Sequence, residues 1–273
     1  MPTGSSFADR LRRALAQDEL VLHYQPKFDV AHGVLVGLEA LVRWAPPPGA
    51  WVSPSHFLPV AEQEGMLAEL GAFALFEACR QTAEWQASGA AVPSVSVNVS
   101  AIELTQPDFV ARVERTLAHA ELPAEFLELE VSAHAMAHAP AQTTRMLAEL
   151  RRSGVRVSLD GFGGATTGLA AFTRWPLDAV EIDRFLVGAL DHTGDAGVRA
   201  ASLVGALTRL AKERGLRVRA EGVENALQRG CLAAAGCDDL QGDLLSPPLA
   251  PADVLAMLTT PAVDAVPRTP TPC

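Results

Sequence analysis

The chain has 273 residues, 49% hydrophobic and 20% charged, enough for one large or two small domains with a full core and ordinary for a globular protein. Its net charge of −10 argues against a general nucleic-acid binder, since nothing would neutralise a run of phosphates, though a small anion held through a metal stays compatible. No apolar run reaches the roughly 20 residues of a membrane span. Cys79, Cys231, Cys237 and Cys273 lack CxxC spacing and follow no signal peptide, which predicts reduced thiols in a cytoplasmic protein.

After a flexible start (1–6), Phe7 to Gln17 carries Phe7, Leu11, Ala14 and Leu15 on one side, as an amphipathic helix does. Leu20 to Phe28 alternates Leu20, Leu22 and Tyr24 against Val21, His23 and Gln25 and predicts a strand. Val34 to Trp44 predicts a second strand, with Gly37, Glu39, Leu41 and Arg43 on one face and Leu38, Ala40, Val42 and Trp44 on the other. A Pro-rich loop follows, then a helix starting at Pro54 with Ser53 as its cap, and a longer helix from about Met66 to Ala87. From Ser94 the pattern becomes regular. Strands are predicted at 94–100, 126–132, 156–162, 179–185, 216–223 and 238–242. Helices follow near 107–119, 141–152, 197–214, 225–235 and 251–258, and a Gly/Thr-rich loop (163–168) leads to a further short helix. Residues 261–273, with four prolines, read as a disordered tail beyond a single domain over 1–260. Eight strands, most followed by a helix, favour a closed (β/α)8 barrel. A doubly wound open sheet is the alternative, but it wants a Gly-rich phosphate turn after its first strand, and none is there.

Polar residues occupy one face of each strand. Ser96, Asn98 and Ser100 oppose three valines; Glu128, Glu130 and Ser132 oppose Leu127, Leu129 and Val131. Ser158 and Asp160, Glu181 and Asp183, and Arg219 and Glu221 continue the series. In a barrel the apolar face packs under the helices, so the polar face lines the interior. The outermost polar residues, Glu39, Asn98, Glu130, Asp160 and Glu221, then converge on the mouth at the strands' C-terminal ends. Four carboxylates with no nearby Lys would repel one another, and such a group either takes up protons or holds a divalent cation. All-oxygen ligands suit Mg²⁺, Mn²⁺ or Ca²⁺ better than zinc. The bland alternative is a set of solvated strand ends without metal.

The run Glu39-Ala40-Leu41 with Arg43-Trp44 resembles the signature of EAL-domain cyclic di-GMP phosphodiesterases. The resemblance extends from Tyr24-Gln25-Pro26 to Gln241-Gly242. It includes Asn98-Val99-Ser100, Glu130-Val131-Ser132, Asp160-Gly161-Phe162-Gly163, Glu181-Ile182-Asp183 and Ala220-Glu221-Gly222-Val223-Glu224. It implies an α/β fold, a modified (β/α)8 TIM-like barrel with one antiparallel strand. It also implies hydrolysis of one phosphodiester of cyclic di-GMP with two Mg²⁺ or Mn²⁺ ions. By resemblance, Glu39, Asn98, Glu130 and Asp160 hold the first metal, and Asp160 and Glu221 contribute to the second. Gln25, Arg43, Asp183, Glu224 and Gln241 then lie along the ligand or support the metal shell. Paired metals clamp a phosphate and generate hydroxide near neutral pH, and an Arg can fork onto phosphate oxygens.

Three positions depart from the family pattern. Gly161 stands where a second Asp ligates the second metal. Glu181 stands where a Lys positions the attacking water. Ala133 stands where a Glu orders the loop after Asp160. A first metal site survives on this reading and the second is stripped. Preorganised groups of this kind are each worth roughly 10²–10³ in rate, so the expectation is a receptor for cyclic di-GMP with hydrolysis impaired or absent. Two alternatives stay open: a slow phosphodiesterase giving the linear dinucleotide, with Glu181 as replacement ligand, and a nucleotide-free scaffold for a protein partner. A homodimer is a further expectation from the resemblance.

Overall fold

The computed structural model describes residues 6–17, 19–46, 51–137, 141–164, 172 and 174–259. The predicted tail at 261–273 and most of the 163–168 loop lie outside them. Eight strands close into a barrel in sequence order, β1 to β8. They are β1 (Leu20–Asp29), β2 (Leu35–Trp44), β3 (Val95–Val99), β4 (Leu127–Ser132), β5 (Arg156–Phe162), β6 (Ala179–Ile182), β7 (Arg217–Ala220) and β8 (Asp239–Leu240). β1 pairs antiparallel with both β2 and β8, and every other neighbouring pair is parallel. The barrel expected from the alternation is present, with the single reversed strand that the resemblance implied.

The α-helices among the described residues are α1 (Phe7–Ala16), α2 (Pro54–Gln63), α3 (Leu67–Ala87), α4 (Phe109–Ala120), α5 (Ala133–Ala137), α6 (Ala141–Arg152), α7 (Arg184–Ala189), α8 (Asp195–Glu213), α9 (Ala226–Ala235) and α10 (Pro251–Thr259). Ser6 belongs to α1 as its cap: its Oγ accepts from Asp9 N–H at 3.1 Å, and the Asp9 carboxylate accepts in return. Ser53 precedes α2 but makes no side-chain cap; its hydroxyl pairs with that of Ser55 at 2.8 Å. The sequence reading carried the sixth strand through to Phe185, whereas β6 ends at Ile182 and α7 begins two residues later. Asp183 is the reason: its Oδ1 accepts from Phe185 N–H at 2.8 Å and turns the chain into a helix.

Two apolar clusters hold the fold. The larger lies between barrel and helices and takes the outward faces of the strands: Val95, Val97 and Val99; Leu127, Leu129 and Val131; Val157 and Leu159; Val180 and Ile182; Val218 and Ala220. Each Val, Leu or Ile among them stabilises by about 1.5–3 kcal/mol when removed from water. The smaller cluster packs α1, α2 and the start of α3 around Trp44, with Leu11, Leu20, Phe57, Ala61, Met66 and Leu70. Cys79 and Cys237 are buried free thiols, as expected, but Cys231 is disulfide-bonded, which corrects the expectation of four reduced thiols. No helix among the described residues is long and apolar enough to cross a membrane.

Candidate functional site at the barrel mouth

The barrel is filled with ions rather than hydrocarbon. Period-two alternation sends Gln25 and Lys27 inward from β1, Glu39 from β2, Asn98 from β3, Glu128 and Glu130 from β4, Ser158 and Asp160 from β5, Glu181 from β6 and Arg219 from β7. Glu128, Glu130, Ser158, Glu181 and Lys27 are all buried. A buried charge persists only when paired, and here two cations do the pairing.

Lys27 overturns the expectation that no Lys lies near the acidic cluster. Its Nζ donates to Glu181 Oε1 at 2.8 Å and is in contact with Glu130 Oε1. Burial opposes its charge, but the Glu130 and Glu181 carboxylates outweigh that and hold its pKa well above the ordinary value. Arg219 forks onto both oxygens of Glu128, approaches Glu181 Oε1 at 3.3 Å and Asp239 Oδ2 at 3.3 Å. Against the cost of burial, that guanidinium keeps the Glu128 carboxyl down at about 2. Both cations were visible in the alternation, since Lys27 shares the face of Gln25 and Arg219 that of Glu221. The sequence reading ran this strand to Phe28 but followed its alternation only as far as Gln25, and it weighed only the carboxylates at the mouth.

Toward the mouth the network becomes acidic and less compensated. Asn98 Nδ2 donates to Glu39 Oε1 at 2.7 Å, and Gln241 Nε2 donates to Glu39 Oε2 at 2.5 Å and to Gln25 Oε1 at 2.9 Å. Gln25 in turn donates to the Ser246 carbonyl at 3.2 Å, tying β1 to the segment after β8. Burial, then the Glu181 and Glu39 charges, push Asp160 up to about 6. Burial, then the Glu181 carboxylate in hydrogen-bond reach, pushes Glu221 well above its usual range, and burial and Glu181 do the same to Glu130. Glu181, touching both cations, is held low despite its burial. The predicted set Glu39, Asn98, Glu130, Asp160 and Glu221 is therefore brought together at one end of the barrel.

The other predicted residues divide. Arg43 is half-buried above Glu39 on the same face of β2, and its Nη1 donates to the Val42 carbonyl at 3.0 Å. Asp183 stands beside Asp160 and caps α7. Glu224 is exposed, and its backbone N–H donates to buried Gln228 Oε1 at 2.7 Å; its side chain makes no described contact with the cluster. Ala133 is buried at the start of α5. Gly161 has φ +73°, and a Cβ there would lie 3.7 Å from Asp183 Oδ2, so the position faces the cluster but offers it no side-chain oxygen.

The donors fit a hard divalent cation. They are all oxygen, three of their carboxyls are pushed upward by burial and mutual repulsion, and Gln241 Oε1 is buried without a hydrogen-bond partner. Among the described residues, oxygens of Glu128, Glu130 and Glu181 also lie within 4.8 Å of one another and could hold an ion. That triad already has Lys27 and Arg219 as counter-ions, so the carboxylates nearer the mouth have the greater need of a cation.

The EAL domain family profile matches residues 8–248, and the chain belongs to that family. It is 37% identical over 247 residues to the bifunctional diguanylate cyclase/cyclic di-GMP phosphodiesterase MucR of Pseudomonas aeruginosa, covering 90% of this chain and 35% of that protein. It is also 37% identical over 259 residues to the cyclic di-GMP phosphodiesterase NbdA of the same organism, covering 95% of this chain and 33% of that protein. The chain thus spans about a third of the length of these relatives. A solved phosphodiesterase structure described as PaMucR in complex with c-di-GMP superposes with a TM-score of 0.83 at 35% identity, covering 89% of this chain and 97% of that one.

Proposed function

We propose that this EAL domain binds cyclic di-GMP across the barrel mouth and hydrolyses it poorly or not at all, acting as a cytoplasmic receptor whose liganded state is read by a protein partner. The observation that carries the reading is the chemistry at two positions on neighbouring strands: Gly161 supplies no side-chain oxygen beside Asp160, and Glu181 is an anion locked to Lys27 and Arg219. Related proteins of similar sequence act on, or are bound to, this dinucleotide. The residues assigned to binding remain: Gln25 and Gln241 form an amide pair against Glu39, and Arg43 lies above it.

On this reading Glu39, Asn98, Glu130 and Asp160 hold one Mg²⁺ or Mn²⁺, which when bound supplies charge neutralisation for the phosphate. Asn98 and Gln241 orient Glu39. Asp160, pushed up to about 6 by burial and the neighbouring carboxylates, would offer the ion an ionised oxygen above that pH. Glu221, raised by burial and by the ionised Glu181 carboxylate beside it, holds a proton that it donates toward Glu181. Arg43 meets the second phosphate, and Asp183 and Glu224 border the ligand.

A slow phosphodiesterase is favoured by one observation: Lys27 brings a cation to Glu130 and Glu181, from a different strand than the family's lysine. Calorimetry with cyclic di-GMP, with and without Mg²⁺, together with chromatography of the nucleotide after incubation with Mn²⁺, tests both. Micromolar binding with intact dinucleotide supports the receptor. Steady conversion to the linear form supports the enzyme, and absence of binding overturns both.

A further inference from the structure

Three of the four tryptophans, Trp44, Trp85 and Trp175, are buried at 5% exposure or less, and the fourth, Trp51, is 55% exposed. Its position is fixed on both sides. Val52 N–H donates to the Trp44 carbonyl at 2.9 Å, which lays this stretch along the end of β2. Its indole meets the His23 ring at 5.0 Å between centroids and 68° between planes. His23 is itself held, hydrogen-bonded to the Pro248 backbone and partly buried.

The register places this pair over the mouth. Gln25 faces Glu39, His23 faces Leu41 and Val21 faces Arg43 across the β1–β2 ladder. β2 runs with the barrel, so Leu41 and Arg43 lie beyond Glu39 on its open side. His23, Gln25, Glu39 and Arg43 share one face, because the intervening Leu22, Tyr24, Leu38 and Ala40 are buried on the other. His23 therefore sits about 7 Å past Gln25 along the strand, roughly the reach from a nucleotide's phosphate to its base. An edge-on contact with His23 occupies at most one face of the indole, leaving a flat apolar surface open to the solvent above the acidic mouth.

We propose that Trp51 is the stacking platform for one purine base of the ligand, with His23 as the positioning residue that holds the indole at its angle and Arg43 as the neighbouring phosphate contact. The assignment rests on the function proposed above. Stacking uses the π-face that every base shares, so Trp51 adds affinity without choosing among bases.

The test is a titration of the full chain with cyclic di-GMP in Mg²⁺, reading tryptophan fluorescence and calorimetric affinity. Wild-type fluorescence should be quenched on binding, and W51F should abolish most of that signal while keeping affinity within about threefold. W51A should weaken binding about 5- to 100-fold with an unchanged melting temperature, and by the same factor for cyclic di-AMP wherever that ligand binds. Wild-type binding with an unchanged W51A constant overturns the platform alone. Failure of the wild-type protein to bind overturns the platform together with the function beneath it.

Discussion

Replacing Lys27 with Met removes one cation from between two carboxylates that are themselves out of water. The side chains of Lys27, Glu130 and Glu181 are 3%, 1% and 0% exposed, so solvent cannot take over the missing charge. Removing one partner of a buried ion pair costs about 3–5 kcal/mol. Each kcal/mol shifts the melting temperature of a domain this large by about 2–4 °C. Differential scanning calorimetry in EDTA at pH 7.5 should therefore show Lys27→Met melting about 6–20 °C below wild type. Without Lys27, both carboxylates bind protons more readily in the folded state than in the unfolded one, so the deficit should narrow as pH falls toward 5. Lys27→Met/Glu181→Met, which deletes both partners, should recover part of the loss. A single variant that melts within about 2 °C of wild type would show that Lys27 is not the counter-ion of the barrel, and the account of the charged interior would fall with it.

Two opposed pH effects should appear in the metal-free protein. Glu128, held near 2 by Arg219 against a reference of 4.5, contributes stability above pH 4.5 that is lost as pH falls toward 2, about 3 kcal/mol in all. Asp160, raised to about 6 from 3.8, works the other way, and stability falls as pH rises between those values. Mg²⁺ should therefore raise the melting temperature more at pH 7.5 than at pH 5, and equal gains at both would contradict the placement of Asp160 in the ion site. Gly161→Asp should restore an oxygen beside Asp160 and raise Mn²⁺-dependent conversion of cyclic di-GMP by roughly 10²-fold, followed by chromatography; the left-handed backbone there costs an Asp about 1–2 kcal/mol. A folded variant with unaltered turnover would show that Gly161 is not what limits hydrolysis. Gly242→Ala would set a Cβ 2.2 Å from Val223 N, where Val223 N–H now donates to the Gln241 carbonyl. It should cost about 1–3 kcal/mol and weaken ligand binding as Gln241 leaves Glu39, checked by melting and calorimetry.

The barrel was legible because its two signals are local. Alternation in 94–100, 126–132 and 156–162 marks strands, and the carboxylates on the same faces mark the interior. What stayed hidden is pairing across the barrel. Lys27 and Glu130 are far apart in sequence, and only closure of β1 against β8 places the ammonium under the mouth. The end of β6 was misplaced because the side chain of Asp183 completes a cap, while Asp183 itself continues the period-two pattern of Glu181 and Ile182 in the sequence. Trp51 was missed because it follows a Pro-rich loop, outside any periodic segment, and acquires its neighbour His23 only when β1 and β2 pair.

An axis threaded with ions is hard to edit one residue at a time. Glu181 in place of a base is tolerable here because Lys27 and Arg219 stand ready to accept it, and any single reversal of sign strands a neighbour in the dark of the interior. Chemistry at the rim can therefore drift only through matched changes deeper down, so the electrostatic shape of the mouth outlasts the exchange of any one residue on it.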